Sequence, residues 1–260
     1  MKFTIVQHVT PNIDDYSKFS VASIYKYCLE HGYDYYLVRE NNKRNLFAHY
    51  TKIDALKALL EFPKNNAEDE YIVFIDADMV LIEPERKLDW FVETYGTSAT
   101  QIFMPQDVGK ESKKEKRPFT CVIIVKKSLE GLEIIDKWID VSLSVGKHHN
   151  EAHPYEQGVY WDYVMPELKE KQVVLPLKYF EFSPIQRLGL FRNRKPFLDH
   201  LLRRTSKVRV KMMGDLYSKY VNDQKILEQT EALLTANQLG MFQIVGKEEM
   251  ASEKFETELF

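Results

Sequence analysis

Asp76 and Asp78 stand directly behind the run Tyr71-Ile72-Val73-Phe74-Ile75, with only Ala77 between them. A short, continuous apolar run of this kind reads as a central parallel strand buried on both faces. Where extended backbone carries on through the pair, the i and i+2 side chains leave on one face. Two carboxylates placed that way repel each other and lose hydration, and a divalent cation between them is the simplest remedy. In open α/β sheets, ligands also bind beyond the carboxyl ends of the strands. Taken alone, a D-x-D pair reads as readily as a strand ending in two solvated acids before a turn. Here Met79-Val80-Leu81-Ile82 follows, so apolar sequence hems the carboxylates in on both sides and favours the metal reading.

The elements that must position this pair alternate in type. Strands are predicted at 3–9, 33–38 and 71–75. Between them lie a helix capped by Asp14 or Asp15 and stopped at His31-Gly32, and a helix over 46–62. The second helix carries the stripe Ile53, Leu56, Leu59 and Leu60 and ends at Pro63. This β-α-β-α-β alternation argues for an α/β domain with a doubly wound, parallel sheet. Further on, the pattern predicts a helix at 88–95, a strand at 101–105 ending near Asp107, and a charged loop at 110–116. A strand at 119–125 follows, then a helix capped by Ser128 with Leu132, Ile135, Trp138 and Ile139 on its buried face. A polar, histidine-containing loop is expected at 146–154, a strand at 173–182, a short helix or loop at 196–204, and one amphipathic helix at 214–238. The acid-rich last twenty residues read as a loosely held tail.

With 260 residues and a net charge of −3 spread through both signs, the chain has length for a sizeable core and no basic field for nucleic acid. Fifteen Tyr, fifteen Phe and three Trp supply core and could also line a sugar or nucleotide cleft. Cys28 and Cys121 each sit in an apolar segment and read as buried free thiols of a reducing compartment. Met1-Lys2 leads straight into a strand, and no apolar run approaches the length of a membrane span. The expectation is a soluble, cytoplasmic protein.

Phe74-Ile75-Asp76-Ala77-Asp78, the upstream Tyr50-Thr51-Lys52-Ile53 and the late Pro196-Phe197-Leu198-Asp199-His200 together resemble a GT-A fold glycosyltransferase. Among such enzymes the chain is most similar to the galactosyl/mannosyl/xylosyl-transferases of the GMA12/MNN10 group, over roughly residues 1–205. The resemblance implies a GT-A-like (Rossmann-type) mixed, mainly parallel sheet flanked by helices in a single domain. That domain would span 1–210, with a C-terminal helical extension, 211–260, packing on it or trailing from it. It implies a metal-dependent transfer of a sugar from a UDP- or GDP-linked nucleotide-sugar donor to an acceptor hydroxyl on a glycan, with retention of configuration, by an enzyme that associates with other glycan-building enzymes or is one domain of a longer glycan-building assembly. Asp76, Asp78 and His200 would hold Mn²⁺ or Mg²⁺, and carboxylates with one imidazole suit such a metal. Leu201-Leu202 depart from the small residue or Gly that often follows this His in the family, and without the family His200 reads as a packing residue.

Glu156-Gln157 resembles the acceptor-side Asp/Glu-Gln block, with Glu156 in place of the commoner Asp. A carboxylate there could accept the acceptor proton or stabilise an oxocarbenium-like centre, though it also reads as a helix-start acid. Gln157 could hydrogen-bond sugar hydroxyls or be a surface amide, and Asp162 is a further catalytic candidate along the same helix. Lys52 resembles the family's donor-side basic residue and reads equally as a solvated helix lysine. Gln7, His8, Thr10 and Arg39 end the first two strands, at the edge where base and ribose bind. Asp107, another donor-binding candidate, ends the next strand, as an acceptor-facing carboxylate or, more simply, a turn aspartate. His148, His149 and His153 lack the H-E-x-x-H order of a zinc helix. Two rival functions remain at this stage. A nucleotidyltransferase that makes the donor would want a Gly-rich loop after the first strand, and Thr10-Pro11-Asn12-Ile13 has no glycine. A non-catalytic binding protein of the same fold is disfavoured by the presence of both aspartates.

Overall fold

A computed structural model describes residues 1–41, 44, 46–63, 69–109, 114–150, 153–183, 196–201, 205–236 and 240–246, with backbone alone at 146–150 and 181–183. The alternation expected from the sequence is present as β1 (Lys2–His8), α1 (Asp14–His31), β2 (Asp34–Val38), α2 (Thr51–Glu61) and β3 (Glu70–Ile75). Gly32 ends α1 at φ 68, in the left-handed region, with its N–H on the Cys28 carbonyl. A side chain would be strained there.

The chain continues through β4 (Met79–Leu81), α3 (Leu88–Tyr95), β5 (Ile102–Pro105), β6 (Val122–Lys126) and α4 (Leu129–Asn150). The Ser128 hydroxyl accepts the Gly131 N–H at 3.0 Å, so the expected cap is made. After α5 (Glu156–Val159), a π turn and α6 (Met165–Leu168) come β7 (Gln172–Leu175), β8 (Phe180–Ser183) and β9 (Leu198–Leu201). The last elements are α7 (Ser206–Tyr220), α8 (Gln224–Thr235) and β10 (Met241–Val245). The main sheet has the order β10-β2-β1-β3-β6-β5-β7. Five of its seven strands run one way, and β6 and β10 oppose them. A second sheet, β4-β9-β8, stands beside it.

Alternation along β3 divides the core. Tyr71, Val73 and Ile75 face the layer of α1 and α3, whereas Ile72 and Phe74 face Leu56, Ile135 and Trp138 of α2 and α4. Each large apolar side chain buried this way contributes roughly 1.5–3 kcal/mol. β3 is thereby fixed on both faces and both edges, a rigid base for whatever follows Ile75.

Several expectations change. Residues 46–50 are not α-helix, because Phe47 is extended at ψ 152 and only a 3-10 turn, Ala48–Tyr50, precedes α2. The strand expected at 119–125 begins at Val122, and the one expected at 173–182 is two strands in different sheets, parted by Pro176. Residues 146–150 continue α4 instead of forming a loop. Residues 198–201 form β9 because β4 and β8 pair with it. The helix expected at 214–238 is two helices meeting near Asn222, which has φ 44, and Asp223 caps the second through the Ile226 N–H. α7 and α8 pack on α1, and β10 pairs with β2. The loop at 110–113 and the tail at 247–260 lie outside the described residues. Among the described residues, no helix is long and apolar enough to cross a membrane.

Candidate active site

The carboxyl ends of β1, β2, β3 and β5 open on one edge of the sheet, and the antiparallel β6 brings its amino end there. Asp76 to Asp78 form a turn, not the extended continuation expected from spacing, and join β3 to β4. The Asp76 N–H is fixed on the Cys121 carbonyl at 2.8 Å. β4 then pairs antiparallel with β9, placing Met79 opposite His200, and the Leu201 N–H reaches the Asp78 carbonyl at 3.1 Å. Two backbone ladders thus converge three side chains from distant sequence. His200 Nε2 lies 2.8 Å from Asp78 Oδ1, and one ligating atom from each of Asp76, Asp78 and His200 falls within 4.8 Å of the others.

Lys52, from the first turn of α2, is the cationic counterpart. Its Nζ donates to Asp76 Oδ1 at 3.0 Å and to the Thr120 carbonyl at 3.2 Å, and lies 3.0 Å from Glu156 Oε1. Burial alone disfavours its ammonium, but Asp76 and Glu156 outweigh that and raise its pKa above the ordinary lysine value. Burial likewise pushes the Asp76 carboxyl above its usual range, with Lys52 and His200 pulling the other way. At Asp78 burial also opposes ionisation, but His200 and Arg209 prevail and hold it below the usual range. Arg209 Nη2 is 3.1 Å from Asp78 Oδ2. His200 is raised above 6.5: Asp78 and Asp76 overcome the desolvation that would lower it.

Glu156 and Gln157 start α5, both buried, and meet Thr120. The Thr120 hydroxyl donates to Glu156 Oε1 at 2.9 Å, and its N–H donates to Gln157 Oε1 at 2.9 Å. The residue before them, Tyr155, holds φ 53, and its ring stacks on Phe47 and His49 at the turn that precedes α2. Carboxylates, an imidazole and an amide therefore gather at one strand-end edge, the place where open α/β sheets bind ligands.

The model of the galactosyl transferase GMA12/MNN10 family matches residues 6–134, a stretch that holds Asp76 and Asp78. Among solved structures, a glycosyltransferase involved in the glycosylation of the major capsid of PBCV-1 is similar at TM-score 0.63 and 17% identity, covering 83% of this chain and 100% of its own. The chain is a GT-A fold glycosyltransferase resembling the GMA12/MNN10 group. The galactosyltransferase LgtC, in complex with donor and acceptor sugar analogues, matches at TM-score 0.49 and 9% identity over 87% of this chain and 99% of its own. Mouse xyloside xylosyltransferase 1 matches at 0.48 and 11%, over 78% and 98%. None of the curated proteins matches this chain.

Other residues singled out in the sequence sit differently in the transferase. Gln7 is fully buried: its amide donates to Ser20 Oγ and the Asp76 carbonyl, and its oxygen accepts from Tyr35. It braces the Asp76 turn from within the core. Arg39 binds both oxygens of Asp14 and the carbonyls of Val9 and Leu234, tying β2 to α1 and α8 rather than facing a ligand. Lys52 directs its ammonium at protein groups, so the expectation of a donor-side lysine becomes one of a charge bridge between Asp76 and Glu156. His8 hydrogen-bonds the Glu40 backbone, and burial, then Lys52, His49 and Arg39, lower its pKa to about 4. Thr10 is half-buried before the turn Pro11–Ile13, where its carbonyl takes the Ile13 N–H. Asp107 accepts the Gly109 N–H at 3.3 Å as a turn aspartate. Asp162 is exposed on the π turn and does not join Glu156 and Gln157. Thr120 and Arg209 were not anticipated. Thr120 lies inside a strand pattern and Arg209 in a stretch given no element by the sequence, which folds as part of α7, and neither has a local signal.

Proposed function

We propose that the transferase moves a sugar from a UDP- or GDP-linked donor to an acceptor hydroxyl, using a divalent metal and retaining configuration. The observation that carries the reading is the convergence of Asp76, Asp78 and His200 within 4.8 Å at the strand-end edge. Two carboxylates and one imidazole fit Mn²⁺ or Mg²⁺ rather than a softer-ligand metal. When bound, such an ion supplies Lewis-acid charge to a leaving diphosphate.

The chain's own groups divide the remaining work. Lys52 bridges Asp76 and Glu156 and fixes their separation. Glu156 offers a carboxylate to the sugar or the acceptor proton, and Gln157 offers an amide N–H to a sugar oxygen. Arg209 restrains Asp78 from the C-terminal helix.

The test is donor hydrolysis. UDP- and GDP-sugars are incubated with Mn²⁺ and the wild type beside Asp78→Ala. Slow hydrolysis of one donor, abolished by the substitution, supports the reading and identifies the donor. Absence of turnover for every donor, together with no thermal shift from Mn²⁺ and UDP or GDP, overturns it.

A further inference from the structure

We infer that Thr120 is the positioning residue that sets the hydrogen-bond polarity of the Glu156–Gln157 pair. The inference rests on the proposed transfer reaction for its kinetic arm alone. A backbone N–H can only donate, so the Gln157 atom 2.9 Å from the Thr120 nitrogen must be the amide oxygen. The Thr120 hydroxyl lies 3.2 Å from that same oxygen and 2.9 Å from Glu156 Oε1, and its single proton is shared between them. Glu156 Oε1 also faces Lys52 Nζ at 3.0 Å, and Lys52 in turn donates to the Thr120 carbonyl.

One buried threonine therefore turns both Oε1 atoms inward. The groups left over are Glu156 Oε2, which can only accept while ionised, and Gln157 Nε2, which can only donate. Neither has a hydrogen-bond partner among the described residues. A flipped Gln157 would present its oxygen beside a carboxylate, two acceptors side by side, and could not hold a sugar oxygen next to a group that accepts a proton. Thr120 prevents the flip with its N–H and orients the carboxylate with its hydroxyl. The Cys121 carbonyl, one residue on, fixes the Asp76 N–H, so a short stretch at the amino side of β6 registers the pair against the metal-side carboxylate.

Thr120→Val keeps the N–H and the volume and removes the hydroxyl. We expect kcat for transfer to fall about 10- to 100-fold, the range for losing a hydrogen bond to a charged group, with donor KM within about twofold. Thr120→Ser should restore kcat to within about threefold. An unchanged kcat in Thr120→Val, parallel changes in kcat and KM, or no rescue by serine overturns the inference. A second readout does not depend on turnover. The Gln157 side-chain amide signal in ¹⁵N NMR, assigned by its disappearance in Gln157→Glu, should shift in Thr120→Val and not in Thr120→Ser. An unchanged signal in Thr120→Val overturns the inference even when no donor is turned over. A wild type that turns over no donor, with the signal shifted as expected, counts instead against the proposed reaction.

Discussion

Lys52 directs its ammonium to Asp76, Glu156 and the Thr120 carbonyl, and Phe74 lies beneath it with its ring centroid 5.1 Å from Nζ. Lys52→Met leaves two carboxylates without their cation. Breaking such a buried pair costs about 3 kcal/mol, the lower end of its range because Asp76 is partly open to solvent. Urea denaturation checks this, and a loss below about 1 kcal/mol would mean that the carboxylates are solvated. Mn²⁺ should raise the melting temperature of Lys52→Met more than that of wild type, since the variant site carries one positive charge fewer. His8 gives a pH prediction. Its folded value of about 4 lies below the unfolded 6.5, so the unfolded chain binds the proton first as pH falls. The stability linked to His8 is complete above pH 6.5, declines through the acid range and is gone below about 4. It amounts to about 3 kcal/mol. His8→Gln should flatten the stability profile between pH 6.5 and 4, and a variant profile parallel to wild type would contradict the shift.

Elements with strong local signals are legible in the sequence. The Gly32 stop of Asp14–His31, the apolar strand Glu70–Ile75 and the helix Leu88–Tyr95 follow from spacing and flanking breakers. The expected cap by Asp14 or Asp15 is not made: both lie in the first turn, and the N-cap position is Ile13, with no side-chain cap. β9 is not legible, because Leu198-Asp199-His200-Leu201 becomes a strand only through pairing with β4 and β8, partners far off in sequence. The same limit hid the Asp76–Asp78 turn. The spacing draws attention to the pair, but what brings them to His200 is the β4–β9 ladder rather than strand alternation. Gln7 and Arg39 were legible as strand-end polar residues, yet their burial depends on α1 and α8, which a strand pattern does not show. One close approach makes an element-scale test. A Cβ on Gly131 would sit 2.1 Å from the Lys126 carbonyl, where α4 starts against the end of β6. Gly131→Ala should cost about 1–3 kcal/mol through a forced backbone shift, read by thermal denaturation, and no change would mean that α4 moves freely on β6.

Across the whole molecule, the C-terminal elements are built into the transferase domain. α7 and α8 cover α1, β10 extends the sheet beside β2, and Arg209 reaches Asp78 from α7. A chain ending at residue 205 exposes the α1 face and removes Arg209 from the site. It should lose more than about 3 kcal/mol or the single cooperative urea transition. A truncated chain that keeps wild-type stability would make 206–246 an independent appendage. The convergence of two sheets on one strand-end edge is also what makes the metal reading a property of the fold, with no single segment sufficient for it. The most direct measurement is therefore Mn²⁺ binding by electron paramagnetic resonance, in the presence of UDP or GDP, for wild type, Asp78→Ala and His200→Ala. Saturable binding by wild type, weakened at least about tenfold by each substitution, is the predicted result. Binding unaffected by either substitution, or none in wild type, would contradict the account.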